Sequence, residues 1–193
     1  MADGPSAIIG YGLTGRSLSR WLTLENEPFR IFDNDRALSI KSADSGILEE
    51  LHVTSGWSME NWEEALDGVE RLYLSPGVSL HSPAVRVARD QEIPVLSDLD
   101  LFNENTRKKP VIGVTGTNGK STAVALIGHL LEISGFSVAI GGNYGRPALD
   151  LLDENADIYV LELSSFQLEK IKNLNLHTGV FLNFSDDHLD YHG

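Results

Sequence analysis

Lys120, Ser121 and Thr122 follow directly on Gly116-Thr117-Asn118-Gly119, and this short run holds the ingredients of an anion cradle. Small residues let backbone N–H groups converge on negative charge, and a helix starting there adds the partial positive charge of its N-terminus. The ammonium of Lys120 can reach the terminal phosphates of a nucleotide, and the Ser121 hydroxyl can join the shell of a divalent ion. Glu162 is the next residue with chemical content. Its neighbours Tyr159, Val160, Leu161 and Leu163 are apolar, so its carboxylate belongs at the edge of a core. An unpaired charge there is costly, and a cation or hydrogen bonds must hold it. Mg²⁺ carried by nucleotide phosphates supplies such a cation, with Ser121 and Glu162 as its oxygen ligands. Asn143 and the pair Asp187-His188 also follow apolar runs. Imidazole is not a preferred Mg²⁺ ligand, which leaves His188 a second metal or the substrate.

The elements around these residues read as strands and helices in alternation. Val111 to Thr115 is β-branched and apolar and runs into the glycine-spaced turn. The next stretch, Ala123 to Ser134, is apolar nearly all round and predicts a buried helix stopped by Gly135. His129 on it reads as a packing residue. Val138–Ile140, Ile158–Leu161 and Thr178–Leu182 predict three further strands. In an open parallel sheet, ligands bind outside the carboxyl ends of the strands. With parallel strands, Lys120 and Ser121, Asn143, Glu162, and Asp187 with His188 fall along one edge. The pattern G-x-x-x-x-G-K-[ST] is met except at Val114, which stands where glycine is asked for. The physical requirements of a phosphate loop are satisfied all the same.

The first hundred residues repeat the theme. Ser6-Ala7-Ile8-Ile9 is a short strand, and Gly10-Tyr11-Gly12-Leu13-Thr14-Gly15 follows it as G-x-G-x-x-G. Leu18, Trp21, Leu22 and Leu24 then recur at helical spacing. A strand from Phe29 to Phe32 ends in Asp33, where a ribose-binding acid is expected. Taken alone, this supports a NAD site; the safer reading is a nucleotide diphosphate on the helix start. Gly46–Leu51 and Asn61–Leu66 look helical, and Arg71–Leu74 reads as a strand ending in the rigid turn Ser75-Pro76-Gly77. Ser82-Pro83 opens a helix that runs to about Asp90, with the serine hydroxyl as its cap. Pro94–Leu96 is a short strand and Asp98–Phe102 a short helix. The polar run 103–110 then reads as a linker between a domain at 1–102 and another at 111–193. His52 and His81 read as ordinary surface or packing residues, and Trp21, Trp57 and Trp62 as packing residues.

Composition narrows the classes. Apolar content of 41% with 18 glycines and 7 prolines is that of a globular α/β chain. A net charge of −13 argues against a nucleic-acid or acidic-membrane surface. The absence of cysteine excludes disulfides and thiolate metal sites. No long apolar run and no charged-then-apolar leader stands in the sequence, so a soluble, cytoplasmic protein without membrane insertion is expected.

Thr115 to Ser121 resembles the phosphate loop of the Mur ligase family, T-G-T-N-G-K-[ST], and the family shares the valine at the position of Val114. Gly10 to Gly15, Ser75-Pro76-Gly77 and Asp98-Leu99-Asp100-Leu101-Phe102 resemble further hallmarks of it. So do Gly141-Gly142-Asn143-Tyr144-Gly145, Leu161-Glu162-Leu163-Ser164-Ser165-Phe166-Gln167 and Asp187-His188-Leu189-Asp190. The nearest pattern is that of the members joining D-glutamate to UDP-N-acetylmuramoyl-L-alanine in peptidoglycan precursor synthesis. The resemblance implies a Rossmann-like domain holding UDP, with Leu13, Thr14 and Gly77 near the diphosphate. It is followed by part of a P-loop NTPase-like parallel-sheet domain. Gly116, Thr117, Asn118, Gly119, Lys120, Ser121 and Thr122 would bind ATP, with Mg²⁺ on Ser121 and Glu162. Asn143, Ser164 and Gln167 would meet the muramoyl end of the substrate, and His188 the second metal. Lys120 and His188 are the implied catalytic residues. Arg36 stands one residue later than the family's uracil-side arginine, and neither it nor His192 is given a role.

The implied reaction forms an amide: a substrate carboxylate attacks the γ-phosphate of ATP, and the amine of D-glutamate displaces phosphate from the acyl phosphate. The enzyme is expected to be a monomer. Family members have three domains, so this chain is expected to be a fragment, incompetent alone. The carbamylated lysine and the D-glutamate-binding domain would lie past Gly193. Two other classes remain open on the residues. An NAD-dependent oxidoreductase would rest on Gly10 to Gly15 and Asp33 but leave Lys120 and Glu162 unused. A non-catalytic nucleotide-binding module would need only the two loops.

Overall fold

The computed structural model describes residues 4–34, 48–53 as backbone, 61–106, 108–152 and 155–186. The chain divides into two compact units, residues 1–101 with 170–172, and residues 102–169 with 173–193.

In the first unit the strands are β1 (Ser6–Ile9), β2 (Phe29–Asp33), β3 (Leu48–Val53), β4 (Arg71–Leu74) and β5 (Val95–Leu96). They form a sheet in the order β3-β2-β1-β4-β5, every described pairing parallel. The helices are α1 (Leu13–Leu24), α2 (Trp62–Ala65), α3 (Pro83–Asp90) and α4 (Asp98–Asn105). Parallel strands covered on both faces read as unbroken apolar runs, and Ala7-Ile8-Ile9 is fully buried accordingly. Side chains alternate between faces. Ala7, Ile9, Phe32, Leu72 and Leu74 pack with Trp62, Leu66, Val85 and Ala88 in one core. Phe32 and Trp62 meet as tilted rings with centroids 5.2 Å apart. Ile8 faces the other way, towards Gly15 of α1.

Three local expectations change here. Leu48–Leu51 belongs to strand β3, not to a helix over Gly46–Leu51. The i, i+3 spacing of Leu48 and Leu51 suits a helix, but so short a helix does not hold itself, whereas the open edge of β2 offers a ladder of backbone partners. Ser82 is the N-cap residue of α3 with Pro83 inside the first turn, as expected, yet its hydroxyl makes no capping bond. The Ser82 Oγ is buried without a hydrogen-bond partner. The run read as a linker at 103–110 begins inside α4, which extends to Asn105.

The second unit holds β6 (Val111–Thr115), α5 (Lys120–Ile133), β7 (Val138–Gly142), a single 3-10 turn at Ala148–Leu151, β8 (Ile158–Glu162), α6 (Ser165–Lys170) and β9 (Thr178–Phe181). Its strands run parallel in the order β7-β8-β6-β9. Phe102 closes edge-on against Tyr159 of β8, centroids 5.2 Å apart. Helix α5 was expected to be buried, with His129 packed inside. It buries only Val124 and Gly128, with Ala123, Ile127 and Leu131 half-packed on the sheet. Leu126, Leu130 and Ile133 are 50% exposed or more, and His129 is exposed. The described sheet touches one stripe of the helix, and an apolar sequence does not by itself supply partners for the rest.

Candidate functional site

Strand β6 ends at Thr115, and Gly119 is the N-cap of α5, so Lys120 opens the helix. The Lys120 Nζ donates to the carbonyls of Gly116 and Thr117, 2.6 and 2.9 Å away, and so lies folded over its own loop. The first N–H groups of α5 precede the first i→i−4 bond of the helix, that of the Ala123 N–H to the Gly119 carbonyl, as at any helix start.

Glu162 closes β8 opposite Val114 of β6 and Gly142 of β7. It is 4% exposed. Both carboxylate oxygens are engaged: Ser121 Oγ donates to Oε2 at 2.6 Å and Asn143 Nδ2 to Oε1 at 3.0 Å. Asn143 also gives its backbone N–H to the Glu162 carbonyl at 2.9 Å. Gly142 makes this join possible. Its φ is +109°, and a Cβ there would stand 2.3 Å from the Glu162 carbonyl oxygen. The carboxylate therefore sits beside the start of α5, one residue from the lysine, on the edge expected for it. Both of these partners are neutral side chains, a hydroxyl and a carboxamide, around a carboxyl group in a nearly closed place.

The donors suit Mg²⁺: a carboxylate and a hydroxyl, both hard oxygen ligands, beside the glycine loop and the start of α5. Among the described residues no three His, Cys, Asp or Glu side chains gather to hold a metal by themselves.

The other expected site residues divide. Lys120, Ser121, Asn143 and Glu162 are brought together. Ser164 and Gln167 are committed to each other at the start of α6: Ser164 gives its N–H and its hydroxyl to Gln167 Oε1, both at 3.1 Å, and Ser164 Oγ accepts the Gln167 N–H at 3.3 Å. That is a capping arrangement. The loop residues 116–122 were expected to offer their amides together, yet two amides are taken. The Thr117 N–H goes to the Asn183 carbonyl and the Asn118 N–H to Asn183 Oδ1. Asn183 was not among the residues expected at the site. Asp187, His188, His192 and Arg36 lie outside the described residues, as does Trp57.

In the first unit the turn Gly10 to Gly15 joins β1 to α1, whose N-cap is Gly12, without a side-chain cap. Leu13 is 74% exposed, Thr14 half-buried and Gly77 exposed. Gly15 must be glycine, because a Cβ there would meet the Gly10 carbonyl oxygen at 2.1 Å. Ser75 Oγ donates to that same carbonyl at 2.8 Å and so ties the β4 turn to the glycine turn. Asp33 points inward. It is 8% exposed and its Oδ2 accepts a short hydrogen bond from the Tyr11 N–H. The Arg16 guanidinium stacks on the Tyr11 ring 4.8 Å from its centroid, a cation–π contact.

Fold and loops together define a parallel α/β protein in which each unit carries a glycine turn between a strand and a helix start. Known proteins sharpen this. Residues 5–97 match the family profile described as Mur ligase MurD-like, N-terminal domain, and residues 114–193 match the Mur ligase middle domain. The chain belongs to the Mur ligase family. It is 41% identical over 192 residues to the UDP-N-acetylmuramoylalanine--D-glutamate ligase of Saccharophagus degradans, covering 97% of this chain and 42% of that protein. The enzyme of the same name from Pseudomonas aeruginosa is 38% identical, covering 95% of this chain and 40% of that one. The chain thus spans less than half the length of the curated relatives it matches. Among solved structures, the fold is shared with a UDP-N-acetylmuramate:L-alanyl-gamma-D-glutamyl-meso-diaminopimelate ligase of Neisseria meningitides. There the TM-score is 0.56 at 19% identity, with 96% of this chain and 62% of that one covered. It is shared also with the UDP-N-acetylmuramate-alanine ligase of Thermotoga maritima, TM-score 0.52 at 18% identity, with 98% and 43% covered.

Proposed function

We infer that the protein serves ATP-dependent, ADP-forming amide synthesis, joining D-glutamate to UDP-N-acetylmuramoyl-L-alanine in peptidoglycan precursor synthesis. The reading carries with it a cytoplasmic, monomeric enzyme that uses Mg²⁺. One observation supports it above the rest: a nearly closed carboxylate, Glu162, hydrogen-bonded to the hydroxyl that follows the phosphate-loop lysine. The names of the relatives at about 40% identity point to the same substrates.

The chemistry asks for positioning and charge neutralisation more than for covalent help. In this reading Lys120 turns from its own loop carbonyls to the γ-phosphate and offsets the charge that builds up on it. The N–H groups at the head of α5 hold the β-phosphate. Ser121 and Glu162 would hold Mg²⁺, which would supply Lewis-acid neutralisation of the phosphate charge. The carboxylate of the muramoyl-L-alanine substrate then attacks phosphorus and ADP leaves. The amine of D-glutamate adds to the acyl carbon, and phosphate departs with the electrons of the broken C–O bond. Asn143 keeps the acid in register; Ser164 and Gln167 shape the loop beside the substrate's muramoyl end. His188 is proposed, on the sequence pattern alone, for the second metal or the substrate.

The first unit would hold the UDP moiety at Leu13, Thr14 and Gly77. The inward turn of Asp33 supports this over a dinucleotide, since the acid that would grip a ribose instead braces the Tyr11 amide. Calorimetric titration of the chain with MgATP tests the central claim. Binding is expected for the native chain and its loss for Lys120→Ala; equal affinity in the two would overturn the assignment. Thermal melts with UDP and with NADH test the other unit. Protection by UDP is expected, and protection by NADH alone would return the oxidoreductase reading.

A further inference from the structure

The phosphate loop is held from outside by one side chain. Asn183 follows β9, the strand beside β6, and its carboxamide meets Asn118 on both sides of one residue. Oδ1 accepts the Asn118 N–H at 3.0 Å, and Nδ2 donates to the Asn118 carbonyl at 2.9 Å. The same stretch adds backbone ties. The Asn183 carbonyl accepts the Thr117 N–H at 3.2 Å, and Ser185 exchanges two bonds with Thr117 Oγ1, at 3.0 and 3.2 Å. Asn118 immediately precedes Gly119, whose left-handed φ of +83° turns the chain into α5. The two peptide units around Asn118 thus set the direction in which the helix start, with Lys120 and Ser121, faces.

We propose that Asn183 is a positioning residue for nucleotide binding, a carboxamide clamp that holds the Asn118 peptide units so that the head of α5 faces the phosphates. This rests on the ATP-binding reading of the loop. The clamp occupies the Asn118 N–H, so the phosphates are met by the amides from Gly119 onward and by Lys120. A carboxamide suits the task, because it alone among small side chains both donates and accepts in one plane. Without it, Thr117 and Asn118 keep only the backbone ties of the β9 extension, and the nucleotide must order the loop as it binds.

The test uses the whole 193-residue chain as wild type, Asn183→Ala and Asn183→Asp. Aspartate keeps the size and the acceptor but sets a second oxygen against the Asn118 carbonyl. Amide exchange followed by NMR without nucleotide reads the clamp directly. In both variants the Asn118 amide or its surroundings should change, with fast exchange in Asn183→Ala. The Thr117 amide, bonded to the backbone carbonyl, should stay protected as an internal control. Calorimetry with MgADP should then show about tenfold weaker binding in Asn183→Ala, which corresponds to about 1.4 kcal/mol, and no recovery in Asn183→Asp. The melting temperature should be nearly unchanged. Unaltered Asn118 exchange together with unaltered or tighter MgADP binding would overturn the clamp. Absence of MgADP binding by the wild type would instead overturn the ATP reading and leave the exchange result to judge the clamp.

Discussion

Replacing Glu162 by glutamine removes one charge and almost no volume, and the surroundings let its consequences be separated. Without metal, the carboxylate accepts from Ser121 Oγ at 2.6 Å and from Asn143 Nδ2 at 3.0 Å while only 4% exposed. A glutamine keeps its oxygen towards Asn143, and the hydroxyl of Ser121 can turn round to accept from the new NH₂. Two charge-assisted bonds become neutral ones, a loss of about 1 kcal/mol or somewhat more. Against this, burying an ionised carboxylate with neutral partners carries a desolvation cost of comparable or larger size. The metal-free variant should therefore melt within a few degrees of the native chain, or slightly above it. With metal the balance differs. Unit charges ~4 Å apart interact by about 4 kcal/mol at an effective dielectric of 20, and a divalent ion roughly doubles this before its lost water is counted. MgADP binding should weaken at least about tenfold, ~1.4 kcal/mol. Binding of ADP in chelator should be unchanged or improved, since an anion has left the neighbourhood of the phosphates. Calorimetry with ADP in Mg²⁺ and in chelator measures both arms. An equal loss in the two media would show that Glu162 acts only through structure, and an unchanged Mg²⁺ dependence would falsify its place as a metal ligand.

Other outcomes follow from the same geometry. Gly142→Ala should destabilise the second unit by about 1–3 kcal/mol and weaken MgADP binding, because the added carbon meets the Glu162 carbonyl at 2.3 Å with φ at +109°; a melt and a titration together would show it. Gly15→Ala should abolish UDP protection of the first unit through its clash with the Gly10 carbonyl at 2.1 Å, with differential scanning as the measurement. Asp98 is buried, which pushes its carboxyl up from 3.8 to about 6; nearby Asp100 adds to this, while the backbone N–H groups of Asp98 and Leu99 oppose it. A raised folded-state pKa means that the native protein binds the proton more tightly, so this group's stabilisation is complete below about 4 and fades as pH rises through 6. Asp98→Asn should therefore flatten the stability profile between pH 4 and 6 and raise neutral-pH stability, by up to about 3 kcal/mol on a shift of this size; denaturant melts at both ends of the window decide it.

What could be read from the chain and what could not follows from the range of the interactions involved. Strand, glycine turn and helix start are contiguous at 6–24 and again at 111–133, and each segment states its own geometry through residue size and period. The burial of Glu162 was legible for a different reason: an acid at the end of an apolar strand has to be held, and Ser121 and Asn143 hold it by hydrogen bonds at the sheet edge. The misreadings share the opposite character. Leu48–Val53 carries helical spacing yet pairs with β2, a partner that no window around it contains. Helix α5 reads as buried because its composition is apolar, but burial depends on how many neighbours the sheet places around it. Asn183 is the plainest case. Its carboxamide acts on a residue 65 positions earlier, and only the order β7-β8-β6-β9, with β9 set beside the loop strand, makes that meeting possible. A polar residue after a strand says that something is bound at the sheet edge; which strand lies next door decides whether that something is a ligand or the loop that holds it.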